Sequence, residues 1–141
     1  MDSGGWYTLY ADGACRGNPG PGGIGAVLMA PNGVLTAEAA EYIGPVTNNI
    51  AEWQALIMGL RLALEHGVRK LHIKMDSQLV VRQVTGEYEV KKQHLKPLYT
   101  EAMGLLRRFA DYRIEHIRRE DNGPADALAN AAIDKAMRER S

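Results

Sequence analysis

The chain has 141 residues, 45% of them hydrophobic and 24% charged, with no formal net charge. That length fits one domain, taken here as 1–141, with a real hydrophobic core, and no apolar run nears the roughly 20 residues that a membrane-spanning helix needs. The first residues, MDSGGWYTLY, lack the basic and apolar regions of a signal peptide. The single Cys15 excludes both an internal disulfide and a cysteine-rich zinc site, so a stand-alone cytoplasmic protein is expected.

In chain order, residues 6–12 alternate, with Tyr7, Leu9 and Ala11 on one face, and read as a strand. GGIGAVLMA and VLTAEAAEYI read as two more strands, and the Asn32-Gly33 pair between them is a hairpin signal. Over 48–65 the period changes: Ile50, Trp53, Ile57, Leu60 and Leu64 recur at helical spacing, with Gly67 as the stop. Val68 to Met75 alternates as a strand, and SQLVVRQVTG follows as a short helix. GEYEVKK is a charged connector. A longer helix is predicted over 94–109, started or kinked near Pro97, then a strand over DYRIEHIRR. Pro124 opens the last helix, whose alanine face (Ala125, Ala129, Ala132, Ala136) implies close packing on a sheet.

The order βββαβααβα has an antiparallel start and a strand–helix alternation that implies parallel strands. The fold class is therefore α/β: a five-stranded mixed sheet flanked by helices. Charge is uneven along it. Residues 1–68 carry a balance of −4, 69–119 one of +6, and 120–141 one of −2. The middle could offer a basic surface to a polyanion, although a solvated mix of surface charge is the plainer reading.

Four carboxylates stand at marked points: Asp12 at the end of the first strand, before a glycine-rich loop; Glu52 in the first turn of the first helix; Asp76 at the end of the fourth strand; Asp126 in the first turn of the last helix. Each has a duller explanation alone: a turn for Asp12, the helix dipole for Glu52 and Asp126, a helix cap for Asp76. Together they have a shared one. Strand ends and helix starts collect at one end of such a sheet, clustered anions need a cation, and all-oxygen ligands favour Mg²⁺ or Mn²⁺. Two such ions about 4 Å apart would drive in-line displacement at phosphorus.

Four segments carry a further likeness: DGACRGNPGPGGIGAVL, TNNIAEWQAL, DSQLVVRQVTGEYEVK and EDNGPADALANAA. With the element order, they make nearly the whole chain resemble the type 1 ribonuclease H family, which cleaves the RNA strand of RNA/DNA hybrids. The resemblance implies a ribonuclease H-like fold and Asp12, Glu52, Asp76 and Asp126 as ligands of two Mg²⁺ (or Mn²⁺) ions. It implies sequence-independent cleavage to 5′-phosphate and 3′-hydroxyl ends. Cys15, Asn18, Asn48, Asn49 and Gln78 would contact the hybrid's minor groove, where short polar groups read 2′-hydroxyls, and Thr47 a phosphate of the DNA strand. The partner implied is a hybrid duplex met by a monomer, with no membrane.

Two departures from the family pattern stand out. The loop RREDNGPAD lacks the histidine that many members carry there, and His116 falls within the preceding strand, which leaves Arg118, Arg119 or Glu120 to take its part in product release. GEYEVKKQHLKPL has no room for the basic protrusion of some members, so Tyr88, Lys91, Lys92 and Lys96 are left to grip the DNA strand. The competing readings are a related nuclease or integrase acting on DNA, against which Asn48, Asn49 and Gln78 argue, and a non-catalytic hybrid-binding module, against which the full set of carboxylates argues.

Overall fold

The alternation at the start of the chain becomes β1 (Tyr7–Cys15), which pairs antiparallel with β2 (Gly20–Met29); β2 pairs in turn with β3 (Leu35–Val46). These strands come from a computed structural model that describes residues 5–140. The Asn32-Gly33 hairpin forms as its sequence requires. Gly33 takes φ +84°, and the Ala30 N–H donates to the Val34 carbonyl at 2.9 Å to close the turn.

α1 (Asn48–Glu65) has the predicted bounds. Thr47 caps it, its hydroxyl oxygen accepting from the Ile50 N–H at 3.3 Å, and Gly67 leaves it at φ +71°. β4 (Lys70–Met75) then joins β1 in parallel, and β5 (Asp111–His116) joins β4 in parallel, giving the strand order β3-β2-β1-β4-β5. Between them lie α2 (Gln78–Val84) and α3 (Lys96–Leu106), and α4 (Gly123–Arg140) follows β5. The mixed sheet expected from the element order is the one observed.

The ends of α3 and β5 fall short of expectation. A single 3₁₀ turn, Gln93–Leu95, precedes α3, which ends at Leu106 rather than 109. There the chain turns so that the Phe109 ring can bury and the Ala110 N–H can reach the Arg69 carbonyl at 2.8 Å. β5 stops at His116, because the chain leaves the sheet through a 3₁₀ turn, Arg119–Asn122, that delivers α4.

The two faces of the sheet are packed differently. Leu9, Leu28, Leu71 and Ile73 pack with Trp53, Leu56 and Leu60 of α1 and with Leu106 of α3 in a thick core. On the other face α4 sits almost on the backbone of β2: a Cβ at Gly23 would lie 2.2 Å from the Ala129 carbonyl oxygen, and one at Gly25 would lie 2.4 Å from that of Ala125. Glycines below and buried Ala125 and Ala129 above permit this approach, as the alanine face predicted. Close docking fixes the start of α4, and with it Asp126, against the sheet. No helix among the described residues is long and apolar enough to cross a membrane.

Candidate metal and nucleic-acid site

The parallel register of β1 and β4 runs from Tyr7 opposite Leu71 to Tyr10 opposite Lys74. Two residues further on, Asp12 and Asp76 come side by side. Asp12 nonetheless lies inside β1, not at its end: β4 stops at Met75, while β1 continues along β2 as far as Cys15 opposite Gly22. The cap reading of Asp76 belongs to its neighbour, since Ser77 caps α2 through its hydroxyl oxygen, which accepts from the Val80 N–H at 3.3 Å. Glu52 is the fifth residue of α1, beyond the first turn, which contains no acid. The dipole explanation for Glu52 therefore lapses. Its Oε1 instead accepts from the Gly13 N–H at 2.7 Å, across the gap between α1 and β1.

Asp12, Glu52 and Asp76 each bring an oxygen within 4.8 Å of the others. Glu52 and Asp76 line a cavity of about 590 Å³ with Gly13, Cys15, Asn48, Arg119 and Asn130; Asp126, in the first turn of α4, lines it too but stands outside that mutual distance. Asp12 is 4% exposed. Burial, then the charges of Glu52 and Asp76, push its pKa up to about 10. Burial likewise raises Glu52 to about 7, opposed by the hydrogen bond from Gly13. The Arg119 Nε, at 4.0 Å from Asp76 Oδ2, is the cation that meets the cluster. Three crowded carboxylates, two of them driven toward neutrality, suit a hard divalent cation, which would relieve both the repulsion and the desolvation. The cluster could therefore bind a metal ion through oxygen.

The other candidates divide by place. Cys15 and Asn48 line the cavity. The Cys15 thiol is turned to backbone carbonyls, among them that of Val46 at 2.9 Å. Asn18 ties the glycine loop to α1, its Oδ1 accepting from the Asn48 N–H at 3.1 Å. Asn49 is half-buried in the first turn of α1, and Gln78 is exposed at the start of α2. Lys91 and Lys92 are exposed on the connector and do not line the cavity; Tyr88, also exposed, accepts at its hydroxyl from Arg82 at 3.0 Å, and it shares a separate groove with Lys96. Of the three loop candidates, Arg119 alone faces the acids: Arg118 pairs with Glu120 at 3.4 Å and Asp121 at 3.3 Å. His116 is exposed at the end of β5.

Sequence reasoning missed Asn122, which is fully buried and donates from Nδ2 to the Ala11 carbonyl at 3.0 Å and to Asp76 Oδ1 at 2.9 Å. It fastens Asp76 to β1. It also missed Asn130, whose Nδ2 donates to Asp126 Oδ1 at 3.2 Å. The available signal was spacing: both lie four residues from Asp126, one before it and one after.

The reverse transcriptase-like family model matches residues 10–132. A ribonuclease HI of Halobacterium salinarum is 44% identical over 96% of this chain and 68% of its own length. The crystal structure of RNase H1 from that archaeon superposes with a TM-score of 0.90 at 43% identity, covering 93% of this chain and 99% of that one. The bifunctional protein Rv2228c of Mycobacterium tuberculosis is 44% identical over 92% of this chain, which spans 36% of that longer protein. LC11-RNase H1, solved in complex with an RNA/DNA hybrid, superposes with a TM-score of 0.88 at 40% identity, covering 93% of this chain and 99% of that one. Fold, site and sequence likeness agree, and the chain belongs to the type 1 ribonuclease H family of enzymes.

Proposed function

We propose that this chain hydrolyses the RNA strand of RNA/DNA hybrids, without sequence preference, leaving 5′-phosphate and 3′-hydroxyl ends. The observation that carries this reading is the convergence of Asp12, Glu52 and Asp76 within 4.8 Å, beside a cavity that Glu52, Asp76 and Asp126 line. The hybrid bound to LC11-RNase H1 supports the substrate class.

Asp12, Glu52, Asp76 and Asp126 would hold two Mg²⁺ or Mn²⁺ ions. Bound there, such ions would supply activation of a water and stabilisation of the leaving oxygen in an in-line displacement. The protein's own groups prepare the site. The Gly13 N–H holds Glu52, and Asn122 holds Asp76. Cys15, Asn18, Asn48, Asn49 and Gln78 would serve as short polar contacts for 2′-hydroxyls and sugar edges, which distinguish RNA from DNA. Thr47 and the exposed N-terminus of α1 suit a DNA-strand phosphate. Arg119 stabilises charge on the product side, and Lys91 and Lys92 neutralise backbone phosphates beyond the cavity. Residues 1–141 would make one domain, acting as a monomer in the cytoplasm.

The test is cleavage of an end-labelled hybrid with Mg²⁺ or Mn²⁺, set beside duplex DNA and beside Asp76→Asn. Hybrid-only cleavage that the substitution abolishes is expected. Cleavage that survives Asp76→Asn refutes the assignment.

A further inference from the structure

We infer that Arg16, acting through Asn130, is a positioning residue for the Asp126 carboxylate. The inference rests on the reading of Asp126 as a cation ligand. Asp126, Asn130 and Asp134 follow one another at four-residue spacing along one face of α4. Arg16, in the loop just after β1, reaches two of them. Its Nη1 lies 2.7 Å from Asp134 Oδ1, and its Nη2 lies 3.3 Å from both the backbone oxygen and Oδ1 of Asn130.

A guanidinium has donors and no acceptor. It therefore holds the Asn130 carboxamide oxygen on its own side and turns the NH₂ the other way. That NH₂ donates to Asp126 Oδ1 at 3.2 Å and to the Asp126 carbonyl at 3.0 Å. Reversing the amide would set its oxygen against the carboxylate and its NH₂ against the guanidinium, so Arg16 reinforces the orientation in which Asp126 meets a donor. The Arg16 and Asp134 side chains are 42% and 51% exposed. A pair so open to solvent adds little to folding stability. What it does set is an orientation, beside the one acid that stands outside the tight cluster. Hydrogen-bond partners of this kind fix ligand geometry and basicity.

The experiment uses the full chain with Arg16→Met, Asn130→Ala and both together. Three quantities are measured: Mn²⁺ affinity of the substrate-free protein by calorimetry, the Mg²⁺ concentration for half-maximal hybrid cleavage, and the KM for hybrid at saturating Mg²⁺. Each single variant is expected to weaken Mn²⁺ binding and raise the Mg²⁺ requirement by about tenfold, with KM unchanged. The double variant is expected to be no worse than Asn130→Ala alone, because the two residues act in series. Wild-type Mn²⁺ affinity in Arg16→Met overturns the inference. So does an additive double variant, or a raised hybrid KM with an unchanged Mg²⁺ requirement, which would make Arg16 a simple phosphate contact. Asp126→Asn separates the two levels: if it retains both cleavage and Mn²⁺ affinity, the ligand role of Asp126 fails, and with it the premise.

Discussion

Gly13→Ala should damage the site without touching any carboxylate. A Cβ at Gly13 would lie 2.4 Å from the Ala51 carbonyl carbon, 2.5 Å from its oxygen and 2.6 Å from the Glu52 nitrogen. All three are backbone atoms, so no side chain can swing aside. Ordinary carbon contacts begin about 1 Å further out, and α1 must move off β1 by about that distance. Overpacking of this kind costs about 1–3 kcal/mol. The same movement breaks the 2.7 Å hydrogen bond from the Gly13 N–H to Glu52 and displaces that carboxylate. A misplacement of about 1 Å at a reacting centre costs on the order of 100-fold in rate. Urea unfolding and steady-state cleavage of a hybrid read the two effects. Gly104→Ala is the matched control, since nothing lies within 4 Å of its would-be Cβ and it sits inside α3. It should keep full activity and gain about 0.5–1 kcal/mol of stability. Wild-type turnover and an unchanged unfolding midpoint in Gly13→Ala would refute the claim that contact between α1 and β1 sets Glu52.

Three further outcomes follow from the electrostatics. The pKa values of Asp12 and Glu52 stand at about 10 and about 7, above the ordinary 3.8 and 4.5, so the folded chain keeps protons that the unfolded chain has lost. In chelator, the contribution of these two groups to stability is greatest below those ordinary values and falls as pH rises; the Glu52 part ends near pH 7 and the Asp12 part near pH 10. The gain in melting temperature on adding Mg²⁺ should therefore grow between about pH 5.5 and about pH 8.5, and a gain independent of pH contradicts the assigned burial of charge. Arg119→Ala should lower kcat by about 10- to 100-fold, while Arg118→Ala, removing a side chain paired with Glu120 and Asp121 away from the acids, should leave it unchanged; equal effects would deny Arg119 its distinct place. Replacing both Lys91 and Lys92 by Ala should raise KM and flatten its dependence on log salt by about one unit per lysine, and an unchanged slope would remove the connector from the binding surface.

What the sequence disclosed depended on how local the determinant was. The bounds of α1 were legible because its apolar period lies between a Thr47 cap and the stop at Gly67, all within one stretch of chain. The hairpin turn was legible for the same reason. Asp12 was misplaced at a strand end because the length of β1 is set by its pairing with β2, as far as Cys15 opposite Gly22, and not by its own alternation. The end of α3 was missed because burial of Phe109 and its link back to Arg69 are tertiary. The four carboxylates could be singled out from their flanking motifs. Asn122 and Asn130 carried only their four-residue spacing from Asp126, and the packing of α4 on glycine-bearing β2 is what reveals what each amide touches.

A loop that turns Arg119, and not a histidine, toward the acids is limited in what it can do. A histidine near neutral pH can hand over a proton and take one back. An arginine cannot, because its guanidinium stays charged throughout the working range. Arg119 Nε stands 4.0 Å from Asp76 Oδ2 with its side chain 85% exposed, and its charge is among the influences that lower the Glu52 pKa. Its influence is therefore permanent and electrostatic: it offsets part of the repulsion among the acids at every pH and can offer donors to a departing phosphate. Any proton the leaving oxygen requires must come from elsewhere in the cavity. Glu52, held near neutrality by burial and steadied by the Gly13 N–H, is the described carboxylate whose protonation changes in that range while no cation is bound. Cations held by the cluster would favour its charged form, and proton delivery would then fall to water rather than to a side chain of this loop.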